Sequence, residues 1–239
     1  MTIFSYHLVK IPFALAVKGI FTNLIDKKTK GLIHSEYMSA MTLGSPIIST
    51  SRFLINQVAI FAQWENEEAL ENYLRNEKFG QILNKGWHVR LLFMREWGKI
   101  TGFKIPQIKA KLENESSAVV AVTIARMKPL AIPRFLKWGR PVEKLVRDHQ
   151  GTIFSLASIK FPNTVSTFSI WKTEKEMTNM VHGHSNMPKP KRHSNAMKER
   201  DRKDFHFEFT TLRFKPISEF GMWKGKQNFI PTEQLNKPS

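Results

Sequence analysis

Gln57-Val-Ala-Ile-Phe-Ala-Gln-Trp64 runs into Glu65-Asn-Glu-Glu-Ala-Leu-Glu-Asn-Tyr-Leu74, and Val165-Ser-Thr-Phe-Ser-Ile-Trp171 runs into Lys172-Thr-Glu-Lys-Glu-Met-Thr-Asn-Met180. Each pair reads as a strand ending in Trp, then a helix opened by a capping residue with acids in its first turn. The two tryptophans are 107 residues apart. A repeat of that length implies two homologous units, not a solenoid.

The reading extends outward in both directions. Ile3–Ile11 alternates as a strand, and Pro12 leads into a helical pattern over Phe13–Leu24. Ala118–Ala125 is a strand, and Pro133 leads into a helix over Arg134–His149, with Gly151 as its C-terminal stop. Val89–Trp97, Thr152–Phe161 and Phe207–Phe214 are further strands. Each half therefore reads strand–helix–strand–strand–helix–strand, a ferredoxin-like unit. Lys111–Ser117 is polar and aperiodic, and divides the chain into 1–110 and 118–239. A four-stranded sheet with helices on one face must bury its other face. The sheet of the other half is the economical partner. The fold class expected is α+β: two tandem ferredoxin-like units forming an intrachain dimeric α+β barrel.

Composition narrows the chemistry. The 239 residues include 18 Phe, 6 Trp and 3 Tyr, ample material for a core. There is no Cys, so disulfides, thiolate metal sites and cysteine nucleophiles are excluded. Lys and Arg number 37 against 20 Asp and Glu, a net charge of +17. That surplus favours polyanionic partners or simple solubility. Lys189, Lys191, Arg192, Lys198, Arg200, Arg202 and Lys203 crowd one segment, but no nucleic-acid-binding motif accompanies them, so nucleic acid is not the expected partner. No stretch is long enough to span a bilayer and no secretory signal is evident, so the expected location is the cytoplasm.

Several segments carry a family resemblance. Tyr37-Met-Ser-Ala-Met41, the Gly/Pro/Ser-rich loop after it, Thr167-Phe-Ser-Ile-Trp171, the passage from His193 and Arg200 into Phe205–Phe214 with Glu208 and Arg213, and the tail Gly221-Met-Trp-Lys-Gly225 with Pro231 together resemble the spheroidene monooxygenase family. Phe205 and His206 stand where that family's pattern has Trp-Tyr, and Gly183–Lys191 resembles an insertion. The resemblance implies a haem-dependent monooxygenase acting on a hydrophobic, carotenoid-like polyene. It also implies an external electron donor, because no dinucleotide-binding Gly-rich loop follows any strand. A polyene lives in lipid, so an anionic membrane surface is a further expected partner, at the inner face of the membrane.

With no Cys, histidine is the first choice of iron ligand. His182, His184, His193 and His206 cluster within 25 residues. His193 lies on the helical stretch Lys191–Lys203, a firmer mount than the Gly/Pro loop of His182 and His184, and ranks first as cofactor and metal ligand. Those two remain the alternatives. His206 alternates with Phe205 and Phe207 and reads as a surface or satisfied core histidine. Arg192, Arg200 and Arg202 suit haem propionates, against the plainer reading of a solvated basic face. Arg95 and Arg213 occupy corresponding strands. Trp64, Trp97, Trp171, Phe93, Phe168 and Met197 read as core or as cavity lining, core being the commoner fate. Glu67, Glu68, Glu174 and Glu176 are explained by helix N-termini.

Overall fold

The computed structural model describes residues 1–22, 24–26, 28–45, 52–114, 116–231 and 235. Part of the Gly/Pro/Ser-rich loop after Met41 lies outside them. The N-terminal half carries β1 (Ile3–Lys10), α1 (Phe13–Phe21), β2 (Leu32–Met41), β3 (Phe53–Trp64), α2 (Glu67–Asn76), α3 (Lys78–Asn84) and β4 (Trp87–Lys99). The C-terminal half carries β5 (Val119–Met127), α4 (Ile132–Asp148), β6 (Thr152–Lys160), β7 (Thr164–Trp171), α5 (Glu174–His182), α6 (Arg192–Arg202) and β8 (His206–Phe220).

All strand pairs are antiparallel, and the strands close in the order β1-β3-β2-β6-β7-β5-β8-β4. Within each half this is the ferredoxin-like order. The halves do more than face each other. β2 pairs with β6 through Ser39–Met41 against Ala157–Ile159, and β4 pairs with β8 along most of its length. Both edges of each four-stranded sheet thus meet the other half, over three residue pairs at the β2–β6 seam.

The caps behave as the sequence requires. The Asn66 side chain accepts the Ala69 N–H at 2.9 Å, and Thr173 Oγ1 accepts the Glu176 N–H at 3.1 Å. Gly151 does not stop α4; the helix ends as His149 turns extended. Gly151 is instead a close approach, where an added Cβ would lie 2.8 Å from Glu176. α1 ends at Phe21, three residues earlier than its pattern suggests, where Thr22 turns extended.

Alternation puts Phe4, Tyr6, Leu8, Phe61, Phe168 and Phe214 inside the barrel, all fully buried. Tyr6 stacks on Phe168 with ring centres 4.0 Å apart. The interior is therefore a packed core, not a channel. One mouth is tied by charge. Buried Glu36 on β2 meets His34 at 3.1 Å, Arg126 at 3.2 Å and Lys160 at 2.6 Å, and Arg126 continues to Glu208. Burial alone would raise the Glu36 carboxyl, but His34 and Lys160 hold it at about 2.

The other mouth is capped by the tail. Glu219 accepts the Trp87 indole N–H at 2.7 Å and the backbone N–H groups of Phe229 and Ile230 at 3.0 and 2.8 Å. Ile230 is fully buried there. Glu219→Ala leaves three donors unpaired. It is expected to cost about 3 kcal/mol and to expose the tail to protease, both measurable by urea unfolding and limited proteolysis.

Candidate functional site: an apolar cavity in the C-terminal half

The two halves differ in how the space between sheet and helices is filled. In the N-terminal half, Tyr37, Val58, Ile60, Trp64, Tyr73 and Leu74 close it. In the C-terminal half, β5 presents Ala121, Thr123 and Ala125 outward, β7 presents Thr167 and Ser169, and β6 presents Ala157. These small side chains do not reach α4, α5 and α6. A cavity of about 400 Å³ remains, within the range of small-molecule and cofactor sites. Its walls are mostly apolar, with Phe135, Trp138, Met177 and Met197 among them.

Two imidazoles enter it. His193, on α6, is half-buried, and its Nδ1 lies 3.1 Å from the Val181 carbonyl oxygen. That contact assigns the proton to Nδ1 and leaves a lone pair on Nε2. Burial holds the His193 pKa below the usual value, so the ring is neutral and fit to be a ligand. His206, at the start of β8, is 5% exposed. Its Nδ1 lies 2.9 Å from Asp204 Oδ1, while Nε2 is buried with no hydrogen-bond partner. Burial lowers its pKa, and Asp204 opposes that shift. The resulting ring donates from Nδ1 to a carboxylate that fixes its orientation, with Nε2 buried and unpaired.

Arg200 lies at the edge of the cavity. Its guanidinium carbon sits 4.9 Å from the Trp97 ring centre and 4.6 Å from that of Phe209, and Asp204 is 3.9 Å away. The other lining arginines are already engaged. Arg52 pairs with Glu143 at 3.1 Å, and Arg213 with Glu174 at 2.9 Å. Arg200 is thus the lining cation with the loosest carboxylate partner. Beyond it opens a second, polar cavity of about 600 Å³ lined by Glu96, Lys99, Thr101, Asp204 and Glu208.

Of the residues singled out in the sequence, His193 and Arg200 line the apolar cavity. His182 and His184 are exposed at the end of α5 and just after it, with ring centres 6.1 Å apart, and neither lines the cavity. Arg192 is outside the lining, and Arg202 is exposed and paired with Glu199 at 2.7 Å. Trp97, Trp171 and Met197 line the cavity, whereas Trp64, Phe93 and Phe168 are core. Arg95 and Arg213 lie directly opposite each other on β4 and β8. His206 is the residue the sequence reading passed over. It is neither a surface histidine nor a satisfied one. The signal available was Asp204-Phe-His206, a carboxylate two residues before an imidazole. No group of three or more His, Asp or Glu side chains is arranged to hold a bare metal ion among the described residues, nor is any helix there long and apolar enough to cross a membrane.

No protein-family model matches the chain, and no curated protein matches it. Solved structures do. A ferredoxin-fold protein from Listeria monocytogenes related to antibiotic biosynthesis monooxygenases is 12% identical, over 90% of this chain and 95% of that one, at a TM-score of 0.29. A haem-degrading enzyme from Listeria monocytogenes is 10% identical over 87% and 98%, at 0.28. An aldoxime dehydratase crystallised with butyraldoxime is 8% identical over 92% and 80%, at 0.54. The likeness to the last of these is one of fold alone, and the closed strand order makes the chain an α+β barrel whose two ferredoxin-like units are carried on one polypeptide.

Proposed function

We propose that this protein is a haem-dependent monooxygenase of a hydrophobic, carotenoid-like substrate, with the cofactor held at the cavity in the C-terminal half. One observation carries the reading. An apolar cavity in a chain without Cys is lined by two imidazoles, His193 from the helix layer and His206 from the start of β8, each with Nδ1 held by a hydrogen bond. The donor set suits haem. A macrocycle brings its own four nitrogens and needs one protein ligand, while the residues present do not assemble the three or more ligands of a bare ion. Haem, when bound, supplies dioxygen activation.

His193 would hold the iron through Nε2, its orientation set by the Val181 carbonyl. His206, backed by Asp204, takes and returns a proton at Nε2. Arg200 supplies positive charge for a propionate at the cavity edge. The apolar walls exclude water. Electrons come from a separate donor protein or cofactor.

The test begins with the wild type. Haem titrated into purified protein is expected to give a Soret band that saturates at one equivalent. Ala125→Phe, which fills the cavity from β5, is expected to abolish that band while leaving the circular dichroism unchanged. A wild type that binds no haem but takes up a fluorescent lipophile in the same cavity would instead make the protein a lipophile-binding barrel without catalysis.

A further inference from the structure

We propose that the end of the C-terminal half formed by the β5–α4 turn, the β6–β7 hairpin and the start of β8 is a docking face for an anionic phospholipid bilayer.

These three segments are stitched to one another. Met127 N–H donates to the Asn163 carbonyl and Asn163 Nδ2 to the Met127 carbonyl, both at 2.8 Å; Lys128 N–H donates to the Phe205 carbonyl at 2.8 Å. The Arg134 guanidinium lies 4.2 Å from the Phe205 ring centre and donates to the Lys203 carbonyl. Each segment carries a large apolar side chain in water: Leu130 is 99% exposed, Phe161 65% and Phe207 65%. Single exposed apolar residues are ordinary, but three on adjoining loops form a patch of the kind that marks an interaction site.

Charge selects the occupant. Lys128 and Lys203 lie close in sequence to these side chains, while Lys160 is already paired with Glu36. Behind them, α4 carries Arg134, Lys137, Arg140, Lys144 and Arg147 against Glu143 and Asp148 alone. Apolar side chains within a basic surround match a bilayer of acyl chains beneath anionic headgroups. A nucleic acid would meet the cations but leave Leu130 unmatched. A second copy of the chain would bring like charge, at +17 each, against this face. The same segments also wall the apolar cavity through Met127, Asn163 and Phe205, so the face lies where an apolar molecule would pass between bilayer and cavity. The inference does not depend on what the cavity holds.

The test uses the full chain and vesicles of phosphatidylcholine with or without phosphatidylserine. Sedimentation is expected to show binding only to the anionic vesicles, weakened at high salt. Leu130→Ser/Phe161→Ser/Phe207→Ser is expected to weaken it about tenfold or more with an unchanged melting curve, since all three side chains are exposed. Because the chain has no Cys, Leu130→Cys can carry an environment-sensitive dye. Its emission is expected to shift to the blue on anionic vesicles, while the same dye at Phe21→Cys, on α1 of the other half, does not shift. Binding that ignores lipid charge overturns the proposal, as does anionic binding untouched by the triple substitution, a dye at Leu130→Cys that stays in water, or tight binding to duplex nucleic acid with none to vesicles.

Discussion

His193→Ala is expected to leave the protein folded and unable to give a Soret band. The ring is held at Nδ1 by the Val181 carbonyl, so Nε2 is the atom offered to the cavity, and burial keeps it unprotonated. The substitution would remove the proposed iron ligand without touching the barrel core. The expected loss is at least a hundredfold in haem affinity, because no Cys can substitute. His206→Ala is expected to keep the band and lose turnover by about 10²–10⁴-fold, the usual span for a general acid–base group. The acidic limb of the pH–rate profile, set by a ring that must be neutral to accept a proton, is expected to vanish with it. His206→Gln, which keeps volume without basicity, behaves like alanine in rate. His34→Ala and His149→Ala retain the band, because His34 serves Glu36 and His149 accepts the Gly151 N–H at 3.0 Å. If His206→Ala loses haem and His193→Ala keeps it, the cavity stands as the site and the two roles exchange.

The second large effect is acid destabilisation from a pair of histidines remote from that cavity. His7 on β1 and His88 on β4 stack with ring centres 4.9 Å apart under the N-terminal helices, and His88 stacks again on Phe220, over which the Arg90 guanidinium sits at 4.5 Å. Arg90 is engaged in turn by Glu67 and Glu71 of α2. Both nitrogens of His7 and Nδ1 of His88 are buried without hydrogen-bond partners. Burial first, then the charge of Arg90, pushes His88 down to about 4; burial, His88 and Arg90 push His7 well below its usual value.

The unfolded chain takes up these protons near pH 6.5, whereas the folded one does not until near pH 4 for His88. Stability from the pair is therefore whole above about pH 7 and falls as pH drops from about 6.5 toward 4. For His88 alone that is about 3 kcal/mol, at about 1.4 kcal/mol per pH unit. Urea unfolding at about pH 7.5 and about pH 4.5 measures it. His7→Phe/His88→Phe keeps the ring stack and is expected to remove most of the difference. A wild type equally stable at both pH values would sink this account.

How far the sequence reaches follows from what kind of information each feature is. Strand, cap and repeat are local. Period-two alternation in Gln57–Trp64, the Asn66 and Thr173 caps and the matched Trp64 and Trp171 need only neighbours in the chain, and from them the two ferredoxin-like units and their mutual burial were legible. That His193 stands on a helix was legible for the same reason. The closure of the barrel through β2–β6 and β4–β8 was not, because edge pairing depends on strands more than 100 residues apart in sequence. Nor was the cavity. Ala121, Thr123, Ala125 and Thr167 are unremarkable strand residues until the barrel turns them outward under three helices they are too small to meet. His206 shows the division most plainly. Its Asp204 partner is written two residues away, but that its other nitrogen is buried and unpaired beside an apolar cavity depends on α4, α6 and β8 packing together, a matter of volume and burial that no local pattern records.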